Sequence, residues 1–301
     1  MLDLHRLRLL RELSHRGTLA AVACALSYSP SAVSQQLTKL ESEVGVPLLQ
    51  RVGRGVRLTT HAEVLVAHTE AVLARLEQAE ADLASAADEL AGTVQIAAFQ
   101  SVAFAFVPSV LTQLASRHPR LRLDFEVCEP DDAIAGLLTH DLDLVVDEEF
   151  PGWPVAPDDR LDRELLLDDP LLLVVPESWG PVQEITDLRD RPWTLEPSGT
   201  RGRVWAEMFC REHGFQPEVP FGFNDLAMRC RMVETGHAAA LLTDLAPLEI
   251  GKITSSTLPE HPTRRICTVV RRGTATHPVA LALRQAFHDA VETRRLLRIP
   301  A

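Results

Sequence analysis

Hydrophobic and polar positions in the first 58 residues fall into three short helical repeats. Leu4, Leu7, Leu10 and Leu13 recur at helical spacing, with Asp3 placed to cap the first turn and Gly17 to end the last. Thr18 is positioned to cap the alanine-rich "LAAVACAL". The third repeat contains "SYSPSAVSQQLTKLE" (27–41), with Ser29 as N-cap, Pro30 at the first helical position and Gly45 just past the end. Val33, Leu37, Leu40 and Val44 form its apolar stripe; Ser31, Ser34, Gln35 and Thr38 form a second, polar one. Serine gains little inside a helix, because it competes for backbone hydrogen bonds. The polar stripe therefore calls for a purpose outside the helix. "LLQRVGRGVRLT" (48–59) predicts two short strands about Gly53-Arg54-Gly55.

From Thr60 to Leu90 the pattern becomes one long helix. Ala62, Leu65, Thr69, Val72, Leu76, Ala79, Leu83, Ala86 and Leu90 alternate spacings of three and four, a heptad seam that predicts a paired helix. The competing reading is a single amphipathic helix lying on its own domain. After Gly92 strands and helices alternate: "TVQIAAF", a helix at 103–117, "LRLDFEV", a helix near 131–139, and "LDLVVD". A proline-rich break (151–159) leads to "RELLLDDPLLLVVP", "WTLE", a helix at 200–213, a strand at 218–223, a helix at 225–235 and "HAAALLT", then a strand at 265–271 and a helix at 277–294. Such alternation predicts two α/β halves with largely parallel sheets and a ligand cleft between them.

Net charge is -12, which alone argues against nucleic acid, but the average conceals an asymmetry. Residues 1–58 hold eight Lys/Arg and four acids, a balance of +4, so the rest carries -16. A basic head on an acidic body suggests that only the head meets a polyanion. Five scattered cysteines without a CxxC point to a reducing compartment and single buried thiols. The N-terminus lacks the continuous apolar core of a secretory signal, and no apolar run approaches bilayer length. A cytoplasmic protein with no membrane partner is expected.

Three short helices and a hairpin match the winged helix-turn-helix plan, in which the third helix enters the major groove. There Gln35 can pair bidentately with adenine, and Ser31 and Ser34 can meet bases or phosphates. Gln36, Lys39, Thr18 and Arg51 suit backbone contacts, and Arg54 at the wing tip suits a minor groove; the helix-opening Ser29 and Pro30 are further candidate DNA contacts.

The run "GTLAAVACALSYSPSAVSQQLTKLESEVGVPLLQRVGRGVRLT" resembles the N-terminal domain of the LysR-type transcriptional regulators, and the likeness extends through the long helix and, via "HDLDLVV" and "VETGHAAALL", the remaining chain. It implies an α+β multidomain protein: a winged helix-turn-helix (1–59), a dimerising linker helix (60–91) and a two-lobed, periplasmic-binding-protein-like (type 2) domain (92–301). Lobe I would span about 92–162 and 264–301, and lobe II about 163–263. It further implies a homodimer or dimer of dimers, double-stranded DNA and a small effector as partners, and RNA polymerase if the output is activation. Gln100, Ser101, Glu129, Ser198, Gly199, Thr200, Arg201 and Asn224 are similar in position to the family's ligand-contacting residues. The helix N-termini among them, with Arg201, favour a carboxylate ligand, while Glu129 and Asp225 favour an amine. The chain departs from the usual family pattern at Gln35, often arginine, and at Thr243-Asp244, where proline is usual.

Enzyme signatures are missing: GxSxG, P-loop, HExxH and dinucleotide glycines do not occur. Asp131-Asp132, Glu148-Glu149 and Asp168-Asp169 read as solvated loop pairs, and His61 and His68 have no third metal ligand. Neither a catalytic residue, a metal nor a cofactor is assigned. The alternatives are a small-molecule binding protein or an enzyme on the same two-lobed scaffold.

Overall fold

The computed structural model describes residues 2–53, 55–85, 89–248 and 252–297. Helices α1 (Leu4–Arg16), α2 (Leu19–Ala25) and α3 (Pro30–Val44) precede an antiparallel hairpin of β1 (Leu49–Val52) and β2 (Gly55–Leu58). Each helix starts where the sequence offers an oxygen: Asp3 accepts from the Arg6 N–H, Thr18 from Ala21 and Ser29 from Ala32. Val33, Leu37 and Leu40 are at most 1% exposed and meet Leu10, Leu13 and Val22 in one core. Burial of roughly 1.5–3 kcal/mol per such side chain outweighs the few tenths that each α3 serine or threonine costs a helix, about 0.7 kcal/mol at most. That balance keeps the polar-striped segment helical.

Helix α4 (Thr60–Ala84), capped by Thr59, ends six residues short of Leu90; Ala86 lies outside the described residues. Its expected seam is divided. The seam residues Ala62 and Thr69, 0% and 1% exposed, are buried against the chain itself together with Leu73 and Ala81, whereas the seam residues Val72, Leu76 and Leu83 are 47%, 43% and 76% exposed. The inner face is pinned to the body by Glu77, whose carboxylate accepts from Arg271 Nε at 2.6 Å. Gly273 permits this approach, since a Cβ there would come within 2.6 Å of the Ala74 carbonyl.

Strand β3 (Gly92–Ala98), α5 (Gln100–Arg117), β4 (Leu121–Val127), α6 (Pro130–Leu138) and β5 (Leu144–Glu149) form lobe I, with β3 parallel to both β4 and β5. The long β6 (Leu161–Pro176) then leaves it. Its first part pairs antiparallel with β11 (Thr263–Arg271), which pairs antiparallel with β5. From Leu171 onward β6 pairs instead with β9 (Ala240–Thr243) and β10 (Ile253–Thr257). The sheet is therefore mixed rather than largely parallel, because two strands of opposite direction carry the chain between lobes. The change of partners falls at Pro170–Leu171. In lobe II, β7 (Pro192–Leu195) and β8 (Glu218–Gly222) pair in parallel between α7 (Arg201–Glu212) and α8 (Leu226–Glu234). Phe106, Val110 and Leu114 of α5 and Leu283 and Phe287 of α9 (Pro278–Leu297) fill the lobe I core; Trp193, Trp205 and Phe209 fill that of lobe II.

Candidate functional site

Two regions carry the residues singled out in the sequence. On α3 the polar stripe faces outward, with Ser31, Ser34, Gln35, Thr38 and Lys39 exposed. Several of these are already engaged locally. The Ser29 hydroxyl accepts the α3 cap bond at 3.1 Å and lies 2.9 Å from that of Ser31, and Thr38 Oγ1 donates to the Ser34 carbonyl at 3.0 Å. Gln36 is half-buried and accepts from Arg6 Nε at 3.2 Å, while Arg6 also binds Glu43. Gln36 thus braces α1 against α3. Among the described residues, Gln35, Lys39 and Arg51 have no hydrogen bond or ion pair, which leaves their donors and acceptors available. Thr18 and Pro30 are exposed at their helix starts, and Arg54 lies outside the described residues. Glu41, not anticipated, accepts from the Leu48 and Leu49 N–H groups at 2.8 and 3.0 Å and fixes the wing to α3.

The head's positive charge is divided. Arg11 is 3% exposed; it pairs with Glu12 and Glu70 and donates to the Leu138 carbonyl of lobe I. Arg16 binds Glu12 and, in lobe I, Asp141. Burial pushes the Glu70 carboxyl up, yet hydrogen bonds from His15 and Arg11 hold it below its ordinary value. His140 lies 3.3 Å from Glu77, but burial and the charges of Arg271 and Arg11 press its pKa to about 3, so the ring is neutral. These groups dock the head and α4 onto lobe I. Arg8, Lys39, Arg51 and Arg57 stay exposed.

The second region is a cavity of about 60 Å³ between the lobes. Of the eight expected ligand contacts it gathers Gln100, Ser101, Glu129 and Asn224. Ser198, Gly199, Thr200 and Arg201 do not line it. Thr200 caps α7, and Arg201 crosses to lobe I, binding Asp147 at 3.0 Å, the Glu148 carbonyl at 2.8 Å and Asp131 at 2.5 Å. An arginine so engaged has little left for a ligand.

Glu148, Glu196, Arg229, Thr243 and Arg264 line the cavity without having been anticipated. Arg264, 4% exposed, is its hub. It donates to Asp169 at 2.8 Å, Glu148 at 2.5 Å, Ser101 Oγ at 2.6 Å and Thr243 Oγ1 at 3.2 Å. Thr243 is thereby a cavity hydroxyl. The carboxylates read as solvated divide: Asp131, Asp132 and Asp168 are exposed, but Asp169 is 0% and Glu148 6% exposed. Buried carboxylates need a partner, and Arg264 supplies it. Burial still pushes Glu148 to about 7 against the pull of Arg264. Burial, then the charge of Glu196, raises Glu129, which an Asn224 hydrogen bond opposes. Cys210 and Cys230, pushed by burial to about 12 and about 11, are packed thiols. Among the described residues no three His, Cys, Asp or Glu are grouped to hold a metal, and no helix is long and apolar enough to cross a membrane.

Both parts of the chain are similar to known proteins. The bacterial regulatory helix-turn-helix protein, lysR family, matches residues 4–63, and the LysR substrate binding domain matches residues 87–292. The HTH-type transcriptional activator IlvY of Salmonella typhimurium is 24% identical over 251 residues, covering 81% of this chain and 83% of that protein. A full-length cysteine-to-aspartate variant of OxyR from Pseudomonas aeruginosa superposes with a TM-score of 0.66 at 21% identity, over 97% of this chain and 98% of that one. Full-length CbnR complexed with its target DNA gives 0.54 at 18%, over 96% and 99%.

Proposed function

The chain belongs to the LysR family of DNA-binding transcriptional regulators, and from there we propose that its α3 polar edge reads base edges in the major groove while two copies pair along the open seam of α4. Gln35 makes the base contact, Ser31 and Ser34 assist, Lys39, Arg51 and Thr18 hold phosphates, and Arg54 enters a minor groove. The observation that carries this reading is a helix capped at Ser29, anchored by Val33, Leu37 and Leu40, whose outward Gln35 has no partner among the described residues. Two heads would then reach half-sites about one DNA turn apart.

A small molecule in the interlobe cavity would change the angle between lobes, and through the docked head the spacing of the two α3 helices. The protein works in the cytoplasm and touches RNA polymerase if it activates. No turnover is assigned, since the cavity's charged groups are engaged with one another and the relatives are regulators. Sequencing the fragments that the full-length protein retains from its own genome tests the reading. A few strongly enriched sites with two-fold symmetry are expected; enrichment no better than for random fragments at low salt would contradict it.

A further inference from the structure

The interlobe cavity is lined by groups of both charges. On one wall α5 begins after Phe99 with no side-chain cap, although Ser101 and Val102 in its first turn are 5% and 0% exposed. A helix of 18 residues therefore presents uncapped N–H groups and the positive end of its dipole toward the cavity. Arg264, bound to the Ser101 hydroxyl at 2.6 Å, adds charge of the same sign. Glu129, Glu148 and Glu196 also line the cavity. Glu148 is held by Arg264 and Glu196 by Arg229 at 3.1 Å. Arg229 itself is 8% exposed and its buried Nε has no acceptor among the described residues, an unmet donor in the wall of a cavity built for a polar occupant. Gly202 leaves room for Glu196, since a Cβ there would lie 2.6 Å from Oε2. Glu129 differs: among the described residues it has no ion pair, and its side-chain partner is the Asn224 amide.

A simple carboxylate would satisfy the α5 N–H groups while facing Glu129, the one of the three glutamates without an ion pair among the described residues; a simple amine would leave those buried N–H groups unmet. We infer that the ligand is a small zwitterion of the α-amino acid class, its carboxylate on the first turn of α5 and its ammonium on Glu129. The inference rests on reading this cavity as the effector site. A volume of about 60 Å³ holds about four water-sized probes at roughly 15 Å³ each, so the side chain is compact. Phe150 and Trp205, stacked with centroids 5.7 Å apart, give it an apolar wall.

Calorimetric titration of the full-length protein tests this with glycine, L-alanine, L-serine and L-valine, each beside its deaminated acid and its decarboxylated amine. At least one amino acid is expected to bind tenfold or more tightly than either matched half. Glu129→Gln, which keeps shape and loses charge, is expected to weaken that amino acid at least tenfold without weakening the matched acid. Glu196, Asp132 and Arg229 face Glu129, and as pH rises and Glu129 ionises among them the wild-type preference for amino acid over acid should grow. Equal binding of acid and amino acid, no binding of any probe, or an indifferent Glu129→Gln overturns the inference. Retention of genomic DNA by the same preparation separates the outcomes: DNA retained with a failed titration overturns only the ligand class, whereas DNA lost overturns the regulator reading.

Discussion

The outer faces of the head and α4 differ from the interlobe cavity in how much of their chemistry is already used. On α3, Gln35 and Lys39 meet nothing among the described residues, and on α4 the seam leucines Leu76 and Leu83 lie open. In the cavity, Arg264 makes four side-chain hydrogen bonds and Glu148 and Glu196 each hold an arginine. Open groups are suited to macromolecular partners, which bring their own complementary surface. A saturated cavity admits only a ligand that fits the few groups left, and its residues also hold the lobes together.

Substitutions can sharpen that contrast. The greatest change is expected at the seam: Leu76→Glu should halve the mass measured by light scattering and, by removing bivalency, weaken operator binding by roughly 10²–10⁴. An unchanged mass would assign the seam to something other than a second copy. In the cavity, Arg264→Met strands the buried Asp169 and Glu148 and should cost about 3–5 kcal/mol in urea unfolding. A cost within about 0.5 kcal/mol, typical of a surface site, would erase the distinction between the regions. Ser29→Ala removes the α3 cap and should cost about 1 kcal/mol by the same measurement, with weaker DNA binding.

A smaller, pH-dependent effect is expected at His140. Its folded pKa of about 3 lies below the ordinary value of 6.5, so the unfolded chain takes up the proton first. The stability it contributes is full above about 6.5 and is lost as pH falls toward 3. His140→Asn, which tolerates the positive φ of 61° there, should flatten the decline of the urea midpoint between about pH 7 and 5. Parallel declines would show that His140 does not titrate across folding.

Legibility in the sequence follows the same division. Caps act within three residues, so Asp3, Thr18 and Ser29 can be read directly, as can the two stripes of α3. The cavity is assembled from afar: Arg264 lies 95, 116 and 163 residues from Asp169, Glu148 and Ser101. Periodicity carries no trace of such pairs, which is why adjacent carboxylates read as solvated and Arg201 as free. A charged residue closing the apolar run "LDLVV" is the one available hint of Asp147 and Glu148. Strand β10, "ITSST", escapes the pattern because it is an exposed edge with almost no buried side chain. The charge asymmetry points to the head but not to its division, since Arg11 and Arg16 serve docking onto lobe I rather than a polyanion.

Whether the polar edge of α3 reads bases is decided by comparing wild type and Gln35→Ala across a randomised DNA library. Preference should be lost at one base pair of each half-site, worth roughly 1–3 kcal/mol, with the other positions and non-specific affinity unchanged. Identical preferences for the two proteins, or an equal loss on every sequence, would contradict that role.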